Sequence, residues 1–322
     1  MPANLLPNGL VDLLPETAEK EADAIHALMS FFKSCGYRRV KPPLIEFEET
    51  LLQGPGQATS KHMFRMMDPK SQKMMGLRAD ITPQIARIAA TRYEKKDYPL
   101  RFSYAGDILH VKGTQLNPAR QMTQVGCELI GDERIEADIE CIMTALRGFY
   151  EIGLRTLTLD MTLPALLRDV LGENGHPELF KALEQKNLEQ IEDLGGAYKE
   201  LLLALVSMTG VIEQDMKTLE GIEIPERGKA DLQRLQDVVK AVQSRLAEEG
   251  MEDVVLTIDP TEHSFFNYHR GISFTIYTRG VREAAGRGGR YDFETDSGMQ
   301  SAIGFTIYMN GLRKVELNLD AS

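Results

Sequence analysis

Tryptophan is absent from this 322-residue chain, and cysteine occurs only three times, at Cys35, Cys127 and Cys141. The number is odd and no two are spaced Cys-x-x-Cys, so neither a disulfide framework nor a zinc knot is expected, and a reducing cytoplasm fits best. Basic residues are in deficit. The 37 Lys plus Arg face 48 Asp plus Glu, a net charge of −11, which opposes non-specific attraction to phosphate backbones or anionic lipid. Long apolar runs are missing as well: none approaches the roughly 18 residues that cross a bilayer, and Met1 to Leu14 shows no basic segment leading into an apolar one. No membrane partner and no export are expected. His263 and His269 lack a carboxylate cluster at metal spacing, so no metal is expected, and neither a Gly-x-Ser-x-Gly elbow nor a Cys/His nucleophile pattern occurs.

What is present is ordinary folded-protein usage, 43% hydrophobic and 26% charged, in a chain long enough for a large core. Pro15 and Thr17 open an amphipathic pattern through Ile25, Leu28, Met29 and Phe32 that ends at Gly36. Pro42 and Pro43 precede an extended Leu44 to Phe47, which reads as an edge strand or a strand end because both prolines lack an amide donor. Thr82 and Pro83 start a second helix that runs to Arg92. Leu100 to Val111 and Arg120 to Ile130 read as an antiparallel hairpin, Glu133 to Tyr150 as a helix, and Leu154 to Asp160 as a strand. Residues 164–250 are helical almost throughout, an insertion between residues 1–163 and 251–322. Val254 to Ile258, Ile272 to Tyr277 and Gly298 to Leu312 supply the remaining strands and a short last helix. The fold class is α+β with a mainly antiparallel sheet flanked by helices.

The most informative stretch is Gln124-Val125-Gly126-Cys127-Glu128. A period of two places Gln124, Gly126 and Glu128 on one strand face, an amide and a carboxylate about 13 Å apart with open space over the glycine between them. Such a floor suits a small ligand carrying a cationic group; the plainer reading is a half-exposed strand face. Asp80 precedes the helix start at Thr82 and reads most simply as a capping carboxylate. Gly286 to Asp292 looks like a phosphate loop but lacks the terminal Lys-Ser/Thr, so a turn permitting close backbone packing is expected there.

Taken together, Gly36-Tyr37-Arg38-Arg39-Val40 with Pro42-Pro43, Leu77 to Thr82, Gln124 to Glu128 and Gly288 to Asp292 resemble, in order and spacing, the catalytic core of class II histidyl-tRNA synthetases. The resemblance runs to about Leu312, with residues 164–250 at the place of that family's insertion. It implies a histidine pocket in which Asp80 and Gln124, helped by Thr82, face the α-ammonium group, Glu128 pairs with the imidazole, and Tyr268 supplies an aromatic contact. Asp80 is one methylene shorter than the family's glutamate, and His269 replaces a tyrosine.

The catalytic residues of that family do not carry over. Leu109-His110-Val111-Lys112 stands where the second class II motif has Phe-Arg-x-Glu, the arginine of the histidine-specific segment falls at Ser264, and that of the third motif falls at Gly311, with Arg313 nearby. Removing one positioned cation from phosphoryl chemistry commonly costs about 10² to 10³ in rate, so adenylation is expected to be lost. The chain ends about ten residues beyond the third-motif position, which implies no anticodon-binding domain and no tRNA partner. This pattern resembles the regulatory subunits of short-form ATP phosphoribosyltransferases. It implies a non-catalytic protein without cofactor that pairs with itself through the first class II motif, assembles with a separate catalytic subunit in the first step of histidine biosynthesis, and takes histidine as its feedback effector. The alternatives are a truncated synthetase-like enzyme that adenylates histidine, with Arg313 or Arg120 replacing the lost arginines, and a free-standing histidine-binding protein.

Overall fold

The computed structural model describes residues 6–114, 117–171, 177–208, 210, 212–221, 224–261, 269–296, 298–313, 315 and 317. The chain opens with α1 (Pro15–Ser34), β1 (Arg38–Arg39), β2 (Ile45–Phe47), α2 (Glu48–Leu51), β3 (Arg65–Met67), β4 (Met74–Leu77) and α3 (Thr82–Arg92). It continues through β5 (Leu100–Leu109), β6 (Gln121–Ile130), α4 (Ile135–Glu151) and β7 (Leu157–Thr162). Between β7 and the next strand run α5 (Pro164–Leu171), α6 (Pro177–Glu184), α7 (Leu188–Leu194), α8 (Lys199–Ser207), α9 (Ile212–Glu220) and α10 (Glu226–Glu248). The last part holds β8 (Val254–Ile258), β9 (His269–Thr278), β10 (Gly286–Thr295), β11 (Gly298–Tyr308) and α11 (Met309–Leu312).

The first helix shows how local chemistry sets these bounds. Pro15 sits in its first turn with Glu16, where a missing amide costs nothing and a negative charge meets the positive helix end. Ala24, Leu28, Met29 and Phe32 form the buried stripe. The helix stops because Gly36 adopts φ +89°, open to glycine but strained for other residues. Amides from Gly36 and Tyr37 then return to the Lys33 and Phe32 carbonyls.

Eight strands form the main sheet in the order β1-β5-β6-β11-β10-β9-β7-β8, and β2-β4-β3 make a small second sheet. The interior pairings of the large sheet are antiparallel, while the outer pairs β1 with β5 and β7 with β8 are parallel. Alternation along β6 sorts its side chains onto two faces. Val125, Cys127 and Leu129 join α1 and α4 in the larger apolar core, whereas Ile130 joins Ile81, Ile85, Phe102, Tyr104 and Tyr291 in a second core under α3. Strand β6 is therefore buried on both sides, not half exposed. Cys127 and Cys141 are buried free thiols and Cys35 is partly buried, without a disulfide.

The stretch Gly286 to Asp292 is not a turn; it lies inside β10, paired with β11 on one side and β9 on the other. Close packing is nevertheless the reason for its glycines, since a side chain at Gly288 would collide with the Phe274 ring and the Gly304 carbonyl. Its arginine is structural. Arg290 donates to the buried Asp138 of α4 at 2.6 and 2.9 Å, to the Asp132 carbonyl at 2.9 Å and to Ser301 at 3.0 Å. Arg234 of α10 holds the other oxygen of Asp138 at 2.6 Å. One carboxylate thus joins the sheet, α4 and the long helix α10.

Candidate functional site

Four elements converge on one end of the sheet face opposite α1 and α4. Strand β6 contributes Gln124 and Glu128, the link from β4 into the first turn of α3 contributes Asp80 and Thr82, and β5 and β10 contribute Tyr104 and Tyr291. Asp80 Oδ1 accepts the Ile81 amide at 2.8 Å and the Gln124 side-chain amide at 3.0 Å, while Gln124 Oε1 accepts the Ile81 amide at 3.1 Å. Asp80 does meet the helix start, as a cap would, and it also ties that start to β6. Thr82 is not the cap: the N-cap position is Ile81, and the Thr82 hydroxyl donates to Glu128 Oε1 at 3.0 Å. Tyr291 donates to Glu128 Oε2 at 2.9 Å.

These contacts bring four of the five expected residues, Asp80, Thr82, Gln124 and Glu128, into one cluster; Tyr268 lies outside the described residues. The floor itself differs from expectation. The space over Gly126 is occupied by the Tyr104 hydroxyl, which bonds Thr306 Oγ1 at 2.7 Å, and a side chain at 126 would meet that hydroxyl and the Phe305 carbonyl. The glycine therefore admits a tyrosine from the neighbouring strand, not a ligand. Gly304, directly opposite Glu128 in the register, is the position that leaves room for its carboxylate.

Burial dominates the electrostatics. Glu128 is 1% exposed, and desolvation pushes its carboxyl up from 4.5 to about 8 despite hydrogen bonds from Tyr291 and Thr82, with Asp80 adding repulsion. Burial also raises Asp80 against its bonds from Gln124 and the helix-start amides. No ion pair reaches either carboxyl among the described residues. Two acids that ionise reluctantly, side by side, favour a ligand that brings its own positive charge or imidazole-type nitrogens.

A stability prediction follows from Glu128. Between pH 4.5 and about 8 the folded chain holds a proton that the unfolded chain has released. Its contribution is therefore complete below 4.5 and lost as pH rises through 8. Glu128→Gln keeps the shape and removes the titration. Thermal melts are expected to give equal midpoints at pH 5 and a higher midpoint for the variant at pH 8.5, by roughly 5 °C or more; parallel pH profiles would contradict this environment.

Four basic side chains near the cluster are committed elsewhere. Arg78 donates to the Asp107 carbonyl at 2.6 Å and the Pro42 carbonyl at 3.2 Å, filling the space left by Gly106. Arg120 bonds the His110 and Asn8 carbonyls at 3.2 Å and lies over the Phe64 ring. Arg313 pairs with Glu21 of α1 and reaches Thr123, on the face of β6 away from Gln124. His110 bonds the Ala79 carbonyl at 2.9 Å, and burial lowers its pKa, so at neutral pH it is an uncharged strut. None of these supplies the phosphate-facing cation that an adenylating site needs. A separate open cleft, lined by Pro55, Arg87, Asp292 and Phe293 among others, lies beyond α3 and includes none of the cluster.

Tyr104, Tyr291 and Thr306 were not legible as site residues. Tyr291 falls in a stretch that resembles the synthetase core, but its partnership with Glu128 spans 163 positions. A large residue opposite a glycine, Tyr104 against Gly126, was the available signal, and it needs the strand register to be read.

A histidyl-tRNA synthetase family profile matches residues 9–312. The chain is 45% identical over 313 residues to the ATP phosphoribosyltransferase regulatory subunit of Paramagnetospirillum magneticum, covering 96% of this chain and 80% of that protein. It is 45% identical over 309 residues to the protein of the same name from Rhodospirillum centenum, covering 94% and 78%. Among solved structures it resembles an ATP phosphoribosyltransferase regulatory subunit/histidyl-tRNA synthetase from Bacillus halodurans, with a TM-score of 0.81, 25% identity, and coverage of 98% of this chain and 84% of that one. It shares its fold with a chain of the ATP phosphoribosyl transferase (HisG:HisZ) complex from Thermotoga maritima, with a TM-score of 0.68, 18% identity and coverage of 90% and 97%.

Proposed function

Because the chain belongs to the histidyl-tRNA synthetase family and, within it, to the ATP phosphoribosyltransferase regulatory subunits, we propose that its Asp80, Gln124 and Glu128 pocket binds histidine as a feedback signal. The protein is a non-catalytic subunit that serves histidine biosynthesis by acting on a phosphoribosyltransferase chain. The observation that carries the histidine reading is Glu128: a buried carboxyl near pH 8, held by Thr82 and Tyr291, with a second acid beside Gln124. An imidazole shares its proton with the first, and an α-ammonium group satisfies the second. Tyr268 would close the imidazole side. Feedback then requires histidine to bind the inhibited assembly better than the active one, and a difference of about 1–3 kcal/mol gives roughly 5- to 150-fold control.

Calorimetric titration of the full chain with histidine is expected to show saturable binding. Histidine-dependent exchange of pyrophosphate into ATP is expected to be absent, because Arg120 and Arg313 are engaged away from the pocket; measurable exchange would establish the ligase alternative instead.

Self-association through the first class II motif fits the small sheet. Leu44, Ile45 and Phe47 expose apolar surface beside Met66, Met67 and Met74, an exposed apolar patch of the kind that marks an interface. The same segment is tied to α3, whose first residue Thr82 reaches Glu128, since Glu46 accepts two bonds from Arg87 at 2.6 and 2.8 Å and one from Gln84 at 2.9 Å. Phe47→Asp is expected to convert a dimer to a monomer in light scattering behind size exclusion. An unchanged mass would place the interface elsewhere. Among the described residues no helix is long and apolar enough to cross a membrane, and the reduced thiols suit a cytoplasmic protein.

A further inference from the structure

We propose that Arg287 is the residue that holds the α-carboxylate of the amino-acid ligand. This rests on the histidine reading above and extends it to the other end of the ligand. An α-amino acid presents its ammonium and carboxylate groups from the same carbon, so a site that takes the whole molecule must set a cation close to its acidic group. The register of the sheet supplies one. Gly126 faces Thr306, Thr306 faces Arg287, and Arg287 faces Thr275, so these residues share one row on the ligand side of the sheet. In the adjacent row Glu128, Gly304, Gly289 and Ser273 follow one another across four strands. Two neighbouring glycines thus separate Glu128 from Ser273, the Glu128 carboxylate lying over the first of them, and Arg287 stands in the next row.

Two further observations point to a polar ligand there. The Ser273 hydroxyl is fully buried and has no hydrogen-bond partner among the described residues. A buried hydroxyl left that way is destabilising, which a ligand oxygen or a water relieves. Tyr308, opposite Gln124 in the register, feels both charges: Asp80 raises its pKa and Arg287 lowers it, within a larger rise from burial. Acid and guanidinium therefore flank the same tyrosine. The ligand then lies with its amino-acid end over Tyr308, between Asp80 and Arg287, and its imidazole toward Glu128 and Tyr291.

The test is calorimetric titration of the full chain with L-histidine, L-histidine methyl ester and histamine. The unsubstituted chain should prefer L-histidine by about 100-fold, the scale of a charge-assisted pair of hydrogen bonds. In Arg287→Met the histidine affinity should fall by about that factor while the ester and histamine change less than about threefold, so that the three ligands converge. Arg287→Lys should recover part of the preference. An Arg287→Met chain that still prefers the free carboxylate overturns the assignment, and so does an equal loss for all three ligands that lysine does not restore. An unsubstituted chain that binds histidine and histamine alike overturns this assignment alone; one that binds none of the three overturns the histidine reading with it.

Discussion

Glu128→Ala is expected to weaken histidine binding by about 100-fold and to raise by the same factor the histidine concentration that inhibits the assembled transferase, because the lost contact is a buried, charge-assisted one. Assembly should survive, since Glu128 is enclosed by Thr82, Tyr291 and Gly304 and is 1% exposed. The pH dependence of binding tests the same pair of groups. The complex shares one proton between Glu128 and the imidazole. Below about pH 6.5, the usual imidazole value, free histidine and free Glu128 carry two protons between them, so binding must release one and weakens as pH falls. Above about 8 the free partners carry none, so binding must take one up and weakens as pH rises. Affinity should therefore be flat between these limits and fall on both sides, with the upper limb gone in Glu128→Gln. A variant at 128 that stays fully histidine-sensitive would place the effector elsewhere.

Asp138→Ala is expected to be the most damaging single change to the fold. It strands Arg290, which is 7% exposed, and releases Arg234 of α10. Breaking a buried pair from one side commonly costs about 3–5 kcal/mol, whereas replacing both partners with apolar residues is close to neutral. Urea unfolding should show that loss for Asp138→Ala and recovery of most of it in Asp138→Leu with Arg290→Met. Amide exchange in α10 should rise in the single variant. A loss below about 1 kcal/mol would mean that α4, α10 and the sheet are held chiefly by their apolar contacts.

Local chemistry explains which parts were legible in the sequence. The helix from Pro15 carries its own proline, apolar stripe and terminal glycine, and the hairpin from Leu100 to Ile130 carries its own alternation, so both were readable without partners. Gln124 and Glu128 were readable as one face for the same reason. What lay over that face was not. Tyr104 fills the place above Gly126, and Gly304 makes the place for Glu128, because of register between strands that the sequence does not state. Gly286 to Asp292 misled for a related reason: consecutive glycines signal a turn in isolation, but between two strands they permit close approach of Phe274 and the Gly304 carbonyl. Arg290 in the same stretch was opaque because its partner Asp138 stands 152 positions away.

We propose that this chain regulates a phosphoribosyltransferase through histidine held by Asp80, Gln124 and Glu128. The direct measurement is ATP phosphoribosyltransferase activity of a purified short-form catalytic chain, titrated with this chain at fixed substrate, with and without histidine. Activity should rise to a plateau on addition of this chain and fall when histidine is added, with the Glu128→Ala chain supporting the rise and not the fall. A catalytic chain whose activity is unchanged by mixing, or an activated assembly indifferent to histidine, would contradict the account.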